Sequence, residues 1–313
     1  MVMKPQLVAL LEAMAALGLK PMHELSPVAA REQLEGAVRA RDITPIELGR
    51  IEEQNIPGPS GDITVRVYRP EGAEGAVGAL VYYHGGGHVV GSLDTHDYAC
   101  RAICRDAGIV VMSVDYRMGP EAKFPAAVDD CYAATKWLSD NAEAMGVRAD
   151  RIAVGGDSAG GNLALVVSLM SRDTDDRLNI VFQLLVYPVM DYIGGTPTYE
   201  TYGNGYGPLV AESVPWFRKH YFTSEDDLAD WRASPARATT FAGLPPALLI
   251  SAECDILAYE GRECAERLAV DGVACEHVDF EGMIHAFFTM APLLDDSIAA
   301  QALAADRLRT VLS

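Results

Sequence analysis

Short, unbroken apolar runs at 79–83, 109–114, 152–154, 180–186 and 247–252 recur along the chain, and helix-length amphipathic stretches at 126–145, 159–172 and 258–271 separate most of them. A strand that is apolar at every position must be covered on both faces, and helices placed between successive strands supply that cover. The pattern predicts an α/β fold with a mostly parallel central sheet flanked by helices. Upstream, Ile63, Val65 and Val67 alternate with Thr64, Arg66 and Tyr68, the period of a half-exposed antiparallel strand at the start of the sheet.

Two segments stand outside this alternation. Residues 1–55 read as N-terminal helices: Leu7, Leu10, Leu11, Met14 and Leu17 recur at helical spacing, and Ser26-Pro27 opens a second helix with a capping hydroxyl and a proline at the first helical position. The turn-rich Ile56-Pro57-Gly58-Pro59-Ser60-Gly61 is the expected junction with the main domain, 56–313. Within that domain, residues 191–231 are rich in Gly, Pro, Tyr and acidic residues and have little strand character. A stretch this long inside a compact domain usually has its own helices or a function, so it is read as an inserted lid with one helix at 214–221.

Charge and cysteine usage narrow the partners. A net charge of −19 works against nucleic acid or an anionic membrane. No apolar run approaches the roughly 18 residues of a membrane span. A signal peptide is disfavoured too, because Glu12 interrupts the apolar run at 7–11 and only Lys4 precedes it. Cys100, Cys104, Cys131, Cys254, Cys264 and Cys275 form no C-x-x-C pair, and no second pair joins Cys100 and Cys104 to complete a metal site. Free thiols in a cytoplasmic protein are expected.

The chemistry concentrates in three places. Gly156-Asp157-Ser158-Ala159-Gly160 follows the apolar run 152–154 and precedes a helical stretch. A nucleophilic serine must project from a sharp strand-to-helix turn, which small neighbours make sterically possible and whose helix N-terminus faces developing negative charge. His84-Gly85-Gly86-Gly87 directly follows the run 79–83. An oxyanion needs fixed backbone N–H donors, assigned here to Gly85, Gly86 and Ala159. His84 reads as a brace for the glycine loop; His23, His88, His96, His220 and His277 have no supporting context, and Asp157 is given no chemical role. The base is expected late, after a strand, and His285 in Glu281-Gly282-Met283-Ile284-His285 fits. Asp255, at the end of an apolar run and ahead of a helix, is the preferred acid over its competitors Glu253 and Glu260.

Together the HGGG loop, the GDSAGGN stretch from Gly156 to Asn162, the Asp255 loop and the EGMIH stretch resemble the hormone-sensitive-lipase family of bacterial esterases, family IV. Leu244-Pro245-Pro246-Ala247 and Phe124-Pro125-Ala126 extend the likeness over nearly the whole chain. The resemblance implies the α/β-hydrolase fold, with the N-terminal helices forming part of a helical cap, and a homodimer through an edge strand. Two departures stand out. Tyr116-Arg117-Met118-Gly119-Pro120-Glu121 replaces YRLAPE, and Asp255-Ile256-Leu257-Ala258-Tyr259-Glu260-Gly261 replaces D-P-L-x-D-E-G, losses expected to loosen the acid loop.

The expected reaction is hydrolysis of a small-molecule carboxylic ester through an acyl-enzyme on Ser158, with no metal or organic cofactor. The same machinery on a lactone, thioester or amide is an alternative, as is a non-catalytic ligand-binding member of the fold. The complete triad speaks against the last. Cap aromatics Tyr192, Tyr199, Tyr202, Tyr206, Trp216, Phe217, Tyr221 and Phe222 suit either an apolar acyl pocket or simple packing of the lid.

Overall fold

The computed structural model describes residues 3–73, 75–175, 177–204 and 207–313. Its strands are β1 (Arg50–Gly58), β2 (Gly61–Arg69), β3 (Val77–Tyr83), β4 (Val110–Asp115), β5 (Val147–Asp157), β6 (Ile180–Val186), β7 (Ala247–Cys254) and β8 (Cys275–Ile284). They form one eight-stranded sheet in the order β1-β2-β4-β3-β5-β6-β7-β8. β2 runs antiparallel to both its neighbours, and every pairing from β4 to β8 is parallel.

The apolar runs are buried on both faces, as their composition demands. Along β3, Ala79, Val81 and Tyr83 enter one core while Leu80 and Tyr82 enter the other. The first core is closed by α4 (Ala126–Asp140), α5 (Ala159–Arg172) and α8 (Ala258–Val270), through residues such as Val128, Leu163 and Leu268. The second is closed by α3 (Asp97–Ala107) and α9 (Asp295–Leu312), through Ile103 and Leu308. The helix expected over 126–145 stops at Asp140, where Asn141 turns its side-chain amide back to the Trp137 carbonyl at 2.8 Å.

Two helices open the chain, α1 (Pro5–Ala16) and α2 (Pro27–Arg39). Ser26 caps α2 by accepting the Ala29 N–H at 3.3 Å. The 56–61 segment is not a junction between these helices and the sheet. It is the tip of the β1–β2 hairpin, with Gly58 opposite Gly61. Pro57 is tolerated there because β1 is an edge strand, with one side free of ladder bonds. Within 191–231 lie α6 (Pro197–Tyr202) and α7 (Ser213–Tyr221). The N-terminal segment and the 191–231 stretch meet: the Trp216 indole N–H on α7 donates to the Leu25 carbonyl at 3.0 Å. Arg31 on α2 donates to the Val89 and Gly119 carbonyls, each at 2.7 Å, and pairs with Glu121.

Candidate active site

Ser158 sits between the end of β5 and the start of α5 with φ 54° and ψ −117°. A non-glycine residue held there costs roughly 1–3 kcal/mol, which persists only where the surroundings over-determine it. Here its N–H donates to the Val186 carbonyl at 2.8 Å, and its carbonyl accepts from Asn162 N–H at 3.0 Å. The turn closes against β3: a Cβ on Gly160 would collide with the Tyr83 carbonyl, so no larger residue fits there.

Ser158 Oγ lies 2.9 Å from His285 Nε2, and His285 Nδ1 lies 2.6 Å from Asp255 Oδ2. All three side chains are buried. Asp255 follows β7, and His285 follows β8, so adjacent parallel strands deliver the two side chains to the same end of the sheet. The second Asp255 oxygen accepts the Leu257 N–H at 3.0 Å. That bond, and Ala258 N–H to the Asp255 carbonyl at 3.1 Å, hold the acid loop despite its missing proline.

The competing glutamates have other work. Glu253 accepts the Gly282 N–H at 2.7 Å, bracing the strand end that leads to His285. Glu260, on α8, is buried and accepts the N–H groups of Met190 and Asp191 at 2.9 and 3.1 Å. Burial pushes its carboxyl up to about 8, against those two backbone donors, with Asp191 and Asp255 adding to the rise.

The glycine loop requires one correction. The Gly85 N–H, expected among the oxyanion donors, is already engaged by Asp157 Oδ1 at 3.1 Å and His96 Nε2 at 3.2 Å. Gly86, Gly87 and Ala159 N–H groups have no partner among the described residues. Gly86 takes φ 118° and packs on the Val90 carbonyl, a conformation and closeness that only glycine permits. His84 braces this loop, its Nδ1 donating to the Gly85 carbonyl at 2.8 Å and its ring stacked 4.3 Å from Tyr116. Burial lowers His84 to about 3, so the ring is neutral.

Asp157, passed over in the sequence, anchors a buried network. It accepts the Tyr82 hydroxyl at 2.7 Å and faces His96, whose other ring nitrogen meets Thr95 Oγ1 at 2.8 Å. Burial pushes the Asp157 carboxyl up, but His96 and the Tyr82 hydroxyl outweigh it and hold it below the ordinary carboxylate range. Asp157 lies 75 residues from Tyr82 and 61 from His96, so no local motif announced the network.

Above Ser158 opens a cavity of about 590 Å³. Its walls include Met14, Leu34 and Val38 from the N-terminal helices, and Tyr199, Leu209 and Phe217 from the 191–231 stretch. The cap aromatics divide. Tyr192, Tyr199 and Phe217 line the cavity, whereas Tyr221 stacks on His88 at 4.1 Å, and Trp216 and Phe222 pack inside the first core. Tyr202 is buried in the second core, and Tyr206 lies outside the described residues. No group of three or more His, Cys, Asp or Glu side chains placed to hold a metal occurs among the described residues.

A parallel sheet that presents a strained serine, a histidine and an aspartate in hydrogen-bonded order is the design of the α/β hydrolases. The sequence profile of a family described by the alpha/beta hydrolase fold matches residues 80–289, and the chain belongs to that family. It is 42% identical over 268 residues to the carboxylic ester hydrolase LipN of Mycobacterium tuberculosis, covering 84% of this chain and 71% of that one. It is 37% identical to the ethyl acetate hydrolase of Pseudomonas putida, covering 88% of each. Among solved structures, a hyperthermophilic esterase from Pyrobaculum calidifontis superposes with a TM-score of 0.92 at 39% identity, covering 99% of both chains. The resemblance drawn from the motifs is borne out. No helix among the described residues is long and apolar enough to cross a membrane.

Proposed function

We propose that the protein is a carboxylic ester hydrolase for short- to medium-chain acyl esters, with Ser158 as nucleophile, His285 as base and Asp255 as the acid behind it. The observation that carries this reading is the continuous hydrogen-bond path from Asp255 through His285 to Ser158, which ends at the floor of the large cavity. His285 Nε2 takes the proton as Ser158 Oγ attacks the ester carbonyl, and Asp255 fixes the tautomer and stabilises the imidazolium. Gly86, Gly87 and Ala159 N–H groups receive the oxyanion, with Gly87 in the place first given to Gly85. The alcohol departs with the His285 proton, and water releases the acid by the reverse route. This chemistry calls on no metal or organic cofactor.

Curated relatives named for carboxylic ester and ethyl acetate hydrolysis support small esters as substrates. The cavity walls contributed by residues before 42 and from 189 to 217 support a cap built from the N-terminal helices and the 191–231 insertion over a catalytic domain. Six free cysteines, five of them buried, support a cytoplasmic location. The sheet's two open edges leave room for a homodimer, which light scattering would measure. The net charge of −19 supports neither nucleic acid nor anionic membrane as a partner.

The test is a series of p-nitrophenyl esters from acetate to palmitate, assayed with the intact protein and Ser158→Ala. Turnover of the short members that vanishes in Ser158→Ala is expected. Absence of any p-nitrophenol release by the intact protein above the Ser158→Ala background would overturn the reading.

A further inference from the structure

The charged side chains that line the catalytic cavity divide by sign. Each carboxylate already has a cationic or polar partner: Asp157 is held by Tyr82 and faces His96, Asp191 pairs with Arg237 at 2.9 Å, and Glu212 lies 3.5 Å from His23 Nε2. The two cations lack a charged counterpart. Lys20 and Arg41 line the same cavity, and neither has a carboxylate partner among the described residues. Arg41 is half-buried, and one of its five N–H donors is engaged, Nη1 to the Thr289 carbonyl at 2.9 Å. Thr289 lies four residues beyond His285, so the guanidinium is fixed to the segment that carries the base.

A guanidinium removed from water is ordinarily paired, because an unpaired buried charge is costly. Burial lowers the Arg41 pKa; Asp42, Asp94 and Asp97 line a neighbouring pocket with it, but none forms an ion pair with it among the described residues. In a chain with 44 acidic residues against 25 basic ones, leaving this cation without an ion pair in the cavity that Ser158 also lines is a conspicuous exception.

We propose that Arg41 is a carboxylate-binding subsite, so that the substrates best served are esters bearing a carboxylate remote from the scissile bond. Resting on the esterase reading above, this names the class of ester. The planar guanidinium offers a fork of N–H donors that matches a carboxylate, and Lys20, exposed at the rim, adds attraction on entry. The anionic group can sit on the acyl or the alcohol part, and the substrates below distinguish the two.

The experiment compares kcat/KM for matched pairs. Mono-p-nitrophenyl glutarate against p-nitrophenyl butyrate probes the acyl side, and 4-acetoxybenzoate against p-tolyl acetate probes the alcohol side. For whichever pair places its carboxylate at Arg41, Arg41→Met should lower the anionic-to-neutral ratio about tenfold or more, and Arg41→Lys should retain part of it. Ratios unchanged in both pairs would overturn the proposal. In the unaltered protein, glutarate should inhibit competitively at several-fold lower concentration than butyrate, a comparison that stands even if Arg41→Met fails to fold; equal inhibition would overturn it as well. Failure to hydrolyse even the neutral esters would instead defeat the esterase reading itself.

Discussion

The Gly85 backbone N–H donates to the Asp157 carboxylate over 3.1 Å, tying the glycine loop to the residue immediately before Ser158. Donor loop and nucleophile turn are therefore positioned by one side chain. Their relative geometry depends on a buried carboxylate that takes no part in the proposed proton relay.

Asp157→Asn should disturb catalysis without removing any reacting group. One side-chain oxygen becomes an N–H donor, and the three-way meeting of Tyr82, Gly85 and His96 loses an acceptor. A fall of about 10- to 100-fold in kcat is expected, with KM changed much less, since the network acts by placing the neighbouring Gly86 and Gly87 N–H groups, which serve the transition state. Steady-state kinetics on one short ester measure both. An equal rise in KM with unchanged kcat would show that the network shapes the pocket and not the oxyanion site.

The acid can be separated from its neighbours. Asp255→Asn should lose on the order of 10²–10⁴-fold in kcat, because an amide neither stabilises the imidazolium nor enforces its tautomer. Glu253→Gln keeps an acceptor for the Gly282 N–H and should cost far less. If Asp255→Asn keeps near-normal kcat while a glutamate variant loses it, the acid has been misassigned.

Glu260 should leave a signature in the pH dependence of stability. Its folded carboxyl titrates near 8, above its ordinary value, so the folded state holds a proton that the unfolded chain releases. Its contribution is therefore full at pH 4 and is lost as pH rises towards 8. Over that window the loss is on the order of 4 kcal/mol. Glu260→Gln keeps an acceptor for Met190 and Asp191 and cannot ionise. The melting temperature of the variant minus that of the parent should climb between pH 5 and 8; a flat difference would show Glu260 to be ionised in the folded protein.

Removing residues 1–39 should damage binding more than chemistry. Met14, Leu34 and Val38 leave the cavity wall, and the Arg31 and Trp216 tethers go with them. A rise of roughly tenfold in KM and a lower melting temperature are expected, since apolar wall area and several hydrogen bonds are lost. The cut must fall short of Arg50, because β1 begins there. Unchanged kcat/KM and melting temperature would make the segment a passive tail.

Acyl length can be read through Phe217, whose ring packs against Gly87 at the catalytic end of the cavity. Rates should fall beyond octanoate in the parent. Phe217→Ala should raise the decanoate-to-butyrate ratio of kcat/KM several-fold by opening that wall. An unchanged ratio would place the acyl chain elsewhere.

The sequence was most legible where a local pattern and a global need coincide. Runs such as 79–83 announced buried strands because both faces of the sheet are covered, and the serine turn announced itself because its sterics restrict the residues beside it. β1 was hidden: Arg50, Glu52, Glu53 and Gln54 make it polar, which an edge strand tolerates and a pattern search for apolar runs passes over. The glycine loop at 84–87 was legible, but not which of its amides were free, since that depends on Asp157 and His96 arriving from elsewhere in the chain. Arg41 was invisible for a related reason. An arginine near the end of a helix is ordinary until the fold shows what stands opposite it.

Much of the cavity wall comes from residues before 42 and from the 191–231 stretch, which contribute no strand to the sheet, whereas Ser158, His285 and Asp255 directly follow strand ends. Appetite and reactivity are thus inherited separately. A graft of another hydrolase's first 39 residues and its 191–231 counterpart would change what is admitted while leaving the cutting edge in place. Selection can retune the diet of such an enzyme one helix at a time, without ever putting the serine at risk.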